Sequence, residues 1–116
     1  MPGKLTTHVL DTARGVPASG LHFRLFSEGG DGTVLAAGQT DADGRSAGPL
    51  LEGSAMRPGR YRLEFDVGDY FQQSGQAPTE PFLDIVVLAF RISEGTRHTH
   101  VPLLVSPFGY TTYRGS

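Results

Sequence analysis

Sixteen glycines and eight prolines cut this chain into short runs, and no stretch keeps a 3.6-residue apolar period long enough for a core helix. The runs are rich in Val, Leu, Phe, Thr and Tyr, which suit a pleated, half-buried surface. Strands are predicted at Leu5 to Leu10, Leu21 to Phe26, Val34 to Gln39, Arg45 to Ala47, Tyr61 to Val67, Leu83 to Ile92, His98 to Val105 and Gly109 to Tyr113. These eight strands fit an all-β fold of two packed sheets. Between them, Val16 to Gly20, Asp41 to Gly44, Arg57 to Gly59 and Ser106-Pro107 supply turn residues with fixed φ or tolerance of positive φ. One short helix is predicted over Gly68 to Gln73, where aromatics sit among polar groups without a β-branched residue, and Ser74 to Pro81 reads as a loop.

The 116 residues, without repeat or linker, predict a single domain over 1–116. The absence of cysteine removes disulfides and thiolate chemistry, so any metal would rest on histidine and carboxylate. Ten Lys and Arg against twelve Asp and Glu give a formal charge of -2, scattered along the chain. That excludes the basic stripe nucleic acid requires. The opening residues lack an apolar segment, and no run approaches the roughly 20 apolar residues of a membrane span. The expected address is the cytoplasm, with no membrane partner.

The chemistry gathers in a few places. Period-two alternation puts His98, His100, Pro102 and Leu104 on one face of a strand and Val101, Leu103 and Val105 on the other. The second face belongs to the core; the first is too polar for a sandwich interior and suits a cleft or a subunit interface. His8 alternates with Thr6 and Leu10 and could share a polar cavity with His100 if the two strands were neighbours. Arg45 follows the turn at Asp41 to Gly44 and is either a delivered guanidinium or a solvated charge beside Asp41 or Asp43. Tyr113, Arg114 and Ser116 crowd aromatic, cationic and hydroxyl groups into a chain end, where such groups need something to hold them. His8, His98 and His100 also leave open a three-histidine zinc site. No serine nucleophile elbow, phosphate loop, calcium loop or metalloprotease helix is present in the sequence.

The blocks Leu5-Thr-Thr-His-Val-Leu-Asp-Thr12, Gly15-Val-Pro-Ala18, Thr40-Asp-Ala-Asp-Gly-Arg45, Gly68-Asp-Tyr-Phe71, His100-Val-Pro-Leu-Leu104 and Tyr113-Arg-Gly-Ser116 closely resemble the 5-hydroxyisourate hydrolases, the transthyretin-related family of urate breakdown. The resemblance covers nearly the whole chain, and the terminal tetrapeptide is its most specific part, since transthyretin shares the sandwich without it. It implies an eight-stranded transthyretin-like sandwich with one short helix. It also implies a homotetramer, a dimer of dimers with sites in a channel at the subunit interface.

The resemblance carries the site onto His8, Arg45, His100 and Ser116 as catalytic residues. His8, Arg45, Tyr113 and Arg114 would bind substrate, with His98 flanking. The implied reaction is metal-independent hydrolysis of 5-hydroxyisourate, without cofactor. A non-enzymatic carrier of a small ligand is the alternative. Two positions depart from the family pattern: Thr99 replaces an aromatic between the histidines, and Pro81 to Ile85 is altered.

Overall fold

The computed structural model describes residues 3–94 and 97–115. Among these residues nine strands form two sheets. The first contains β1 (Lys4–Asp11), β2 (Val16–Pro17), β5 (Leu51–Glu52), β8 (Thr99–Ser106) and β9 (Gly109–Thr112). Their order is β2-β1-β8-β9, with β5 also on β1. The second runs β4-β3-β6-β7, built from β3 (His22–Ser27), β4 (Val34–Gln39), β6 (Gly59–Asp66) and β7 (Ile85–Ile92). All pairings are antiparallel except β1 with β8, which is parallel. An α-helix, α1 (Val67–Gln73), follows β6 directly. Among the described residues no helix is long and apolar enough to cross a membrane.

The core follows the period-two pattern. Leu5 and Val9 of β1, Phe23 and Leu25 of β3, Leu63 and Phe65 of β6, Val86 and Leu88 of β7, and Val101, Leu103 and Val105 of β8 are all buried. Each alternates with residues on an outer face. On the second sheet that outer face is a charged ladder. Arg24 holds Asp66 through two parallel bonds of 3.0 Å and reaches Glu64 at 3.1 Å; Arg62 donates to Glu64 at 2.8 Å and stacks over Phe26.

Several boundaries differ from the sequence expectation. Arg45 to Ala47 is not a strand, because the Asp41 carboxylate accepts from the amides of Asp43 and Arg45 and curls the chain, leaving Arg45 a single bridge to His8. The edge of β1 is covered instead by two-residue strands: β5, and β2 within a segment expected to be only a turn. Proline is tolerated in β2 because that strand lies at an edge. Leu83 and Asp84 stay outside β7 because their backbone groups bond elsewhere, Leu83 to the Pro107 carbonyl and Asp84 to the Gly68 amide. The helix starts at Val67, so that residue ends no strand, and His98 and Tyr113 fall just outside β8 and β9.

One buried carboxylate ties the helix to the first sheet. Asp11, at the end of β1, is 0% exposed and accepts from the Tyr70 hydroxyl and the Gln76 amide, both at 2.8 Å, and from the backbone amides of Ala13 and Arg14. Burial alone would raise its pKa. The four hydrogen bonds more than offset that and hold it below the usual carboxylate value. Tyr70, desolvated and beside the carboxylate, is pushed up to about 12. An Asp11→Ala variant orphans these donors and is expected to lose about 3 kcal/mol in urea unfolding. Because the folded pKa is depressed, the Asp11 contribution is present above about pH 4 and lost as pH falls through the folded value. An Asp11→Asn variant therefore shows a flatter acid limb of stability.

Candidate active site

The parallel pairing of β1 and β8 sets Thr6 beside His100, His8 beside Pro102 and Leu10 beside Leu104. Residues paired across adjacent strands share a face, so both histidines stand on the outer face of the first sheet, half-buried. Arg45 reaches the same place from the side. The Val9 amide donates to the Gly44 carbonyl at 2.8 Å, and His8 and Arg45 form an isolated bridge. Gly44 is required twice over: its φ is +79°, and a Cβ there would run into the Val9 carbonyl oxygen. A turn that requires glycine thus sets the Arg45 backbone beside that of His8.

Each imidazole has a defined partner. His8 Nε2 lies 2.7 Å from the Asp43 carbonyl oxygen. A carbonyl only accepts, so Nε2 carries the proton and Nδ1 is the free lone pair of the neutral ring. His100 Nδ1 lies 2.8 Å from Thr6 Oγ1. The Gly115 amide donates to the His100 carbonyl at 2.7 Å, and a Cβ at 115 would sit 2.7 Å from His100 Cδ2. Burial, then the nearby charges of Arg45 and His8, lower the His100 pKa below the ordinary histidine value. Desolvation and like charge both disfavour the imidazolium and favour the neutral ring.

Of the residues singled out from sequence, His8, Arg45 and His100 come together. Ser116 lies outside the described residues. Tyr113 and Arg114 line a groove between the β7 and β9 edges with Val87, Phe90 and Tyr110. His98 is exposed and lines a separate cavity of about 460 Å³ with Arg91, Arg97 and Arg114. The three-histidine zinc arrangement does not form: among the described residues no group of three or more His, Cys, Asp or Glu is placed to hold a metal ion. Sequence reading passed over Thr6, Asp43 and Gly115 as partners of the imidazoles. Only the two-residue spacing from Thr6 to His8 hinted that Thr6 shares their face.

A family model described as HIUase/Transthyretin family matches residues 5–115. The chain belongs to this family. It is 50% identical to 5-hydroxyisourate hydrolase 2 of Rhizobium meliloti (strain 1021), over 98% of this chain and 97% of that protein. Its fold is similar to that of sea bream transthyretin in complex with thyroxine, with a TM-score of 0.85, 34% identity, and coverage of 97% of this chain and 94% of that one. It is similar also to (S)-allantoin synthase, with a TM-score of 0.93 and 40% identity over 99% of this chain, which spans 44% of that larger protein. The sandwich with one short helix is therefore the transthyretin-like fold.

The lowered His100 pKa is open to direct measurement. In a histidine-labelled NMR titration, His100 is expected to titrate below about 6.5 and to remain neutral where an exposed imidazole is already charged. Replacing Arg45 with Met moves it back upward. A His100 that titrates at or above the ordinary value contradicts the electrostatics described.

Proposed function

We propose that this chain, acting as one domain, hydrolyses 5-hydroxyisourate to 2-oxo-4-hydroxy-4-carboxy-5-ureidoimidazoline without metal or cofactor. The observation that carries this reading is the pair of half-buried imidazoles on one sheet face, with Arg45 bridged to His8 and near enough to disfavour charge on His100, and His8 oriented by a backbone carbonyl. The family relationship and the hydrolase relative support the substrate.

The reaction adds water to a ring carbonyl, breaks the adjacent C–N bond and delivers a proton to the departing nitrogen. A neutral imidazole is suited to take the proton of water, and the imidazolium so formed is suited to return it to the leaving nitrogen. His100 fits the first step because its environment favours the neutral form. Arg45 supplies fixed donors for the negative charge that builds on the carbonyl oxygen, without a proton it could lose. From the family resemblance, Tyr113 and Arg114 are read as substrate-binding residues, carried by the groove between the β7 and β9 edges, and Ser116 as a catalytic residue.

The assembly is read as a homotetramer, a dimer of dimers whose outer sheet faces meet to enclose the sites. Two free sheet edges support it. β7 exposes Ile85 (46%) and Val87 (43%), and all four residues of β9 are exposed, including Tyr110 (45%). Apolar edge strands invite pairing with another chain.

The first test generates 5-hydroxyisourate in place from urate with a urate oxidase and follows its ultraviolet absorbance. The protein is expected to accelerate the decay equally with and without chelator. His100→Ala or His8→Ala should lose about 10²–10⁴-fold in turnover. Arg45→Met should add about 3 kcal/mol to the barrier. A folded, assembled protein that leaves the uncatalysed decay unchanged supports the carrier alternative, toward which the thyroxine-bound transthyretin likeness points. For the assembly, light scattering is expected to give four chains, and Val87→Lys to give fewer, with activity falling in parallel. Full activity in a folded monomer would remove the shared-site reading.

A further inference from the structure

Resting on the hydrolytic reading above, we propose that Thr6 is a positioning residue that sets the tautomer of His100, taking the Nδ1 proton on its hydroxyl oxygen and leaving Nε2 as the lone pair that meets water. Gly115 completes the slot in which the ring is held.

The register makes this arrangement unavoidable. Thr6 and His100 are direct partners in the parallel ladder, so their side chains rise side by side from one face. The Oγ1 to Nδ1 distance is 2.8 Å. The Thr6 side chain is part-buried and, being β-branched, has few rotamers to lose. On the other side of the ring the Gly115 backbone lies so close that even a methyl group at its Cα would meet Cδ2 at 2.7 Å and the His100 Cβ at 3.2 Å. The Gly115 amide is meanwhile fixed to the His100 carbonyl. The ring therefore has a hydroxyl at one nitrogen, and on its Cδ2 edge a space that stays open only because residue 115 lacks a Cβ.

A hydroxyl can donate or accept, and the chemistry selects between the two. A ring that accepts at Nδ1 carries its proton on Nε2 and has no lone pair there for water. A ring that donates from Nδ1 to Thr6 has that lone pair. When Nε2 is protonated during turnover the Nδ1 proton stays where it was, so one hydrogen bond serves both charge states without rearrangement. The Asp43 carbonyl fixes the opposite tautomer on His8. The two imidazoles thus present complementary protonation patterns, one protonated at Nε2 and the other at Nδ1.

The test reads the tautomer and turnover separately. Long-range nitrogen–proton NMR spectra of histidine-labelled protein, recorded without substrate at a pH where the rings are neutral, should show His100 protonated at Nδ1 in wild type and in Thr6→Ser. Thr6→Val should lose that preference. In kinetics, Thr6→Val should reduce kcat by about 10- to 100-fold with little change in KM, and Thr6→Ser should restore most of it. Gly115→Ala should displace the ring and lower kcat by a similar factor while the protein stays folded by circular dichroism. An Nε2-protonated His100 in wild type overturns the proposal. So does a Thr6→Val variant whose tautomer changes while its kcat does not, or whose tautomer and kcat are both those of wild type. If wild type fails to hydrolyse 5-hydroxyisourate, the functional reading falls on the absorbance assay alone, and the spectra still decide whether Thr6 fixes the ring.

Discussion

The parallel pairing of β1 with β8 is the interaction on which the remaining structure depends. It joins the first strand of the chain to its penultimate one, so that all intervening strands close between them. It buries Leu5, Val9, Val101, Leu103 and Val105 on the inner side as one apolar layer. On the outer side it aligns Thr6, His8, His100 and Pro102. A slip of one residue in this ladder would send every side chain to the other face, and the apolar inner set makes such a slip prohibitive. Core packing and site geometry are thus fixed by the same register.

The two outer faces use charge in opposite ways. On the second sheet Arg24, Arg62, Glu28, Glu64 and Asp66 pair among themselves, and a solvated face of alternating charge results. On the first sheet the described ionisable groups of the site carry like charge. Arg45 and His8 both act to disfavour charge on His100, and the hydrogen bonds that hold the rings come from a carbonyl and a hydroxyl. Groups kept close, partly desolvated and of like sign mark functional sites more often than structural ones. The stabilising ion network was placed where it does not interfere with the imidazoles.

Much of this was legible in the residues. The strand alternation of Val101, Leu103 and Val105, the glycine at 44 and the proline-rich breaks identified a two-sheet sandwich, because period two and positive φ are local properties. The helix at α1 was legible for the same reason. Less legible were the short edge strands β2 and β5, since each is decided by which distant strand offers a partner, and the loss of strand at Arg45, which rests on the Asp41 carboxylate accepting from the turn's own amides. His98 illustrates the limit: alternation assigns it to the His100 face, but the strand begins only at Thr99 and His98 turns to the arginine-lined cavity.

By itself the sequence determined the class of fold, the members of the core and the residues able to exchange protons or hold negative charge, because these depend on composition, period and side-chain chemistry. Only the tertiary structure decided that β1 lies beside β8, that the Asp41 to Gly44 turn brings Arg45 to His8, and that Thr6, Asp43 and Gly115 are the partners of the two imidazoles. The Asp43–His8 and Thr6–His100 contacts join residues 35 and 94 positions apart. No local pattern encodes them; they follow from the one register that buries the apolar face of each strand.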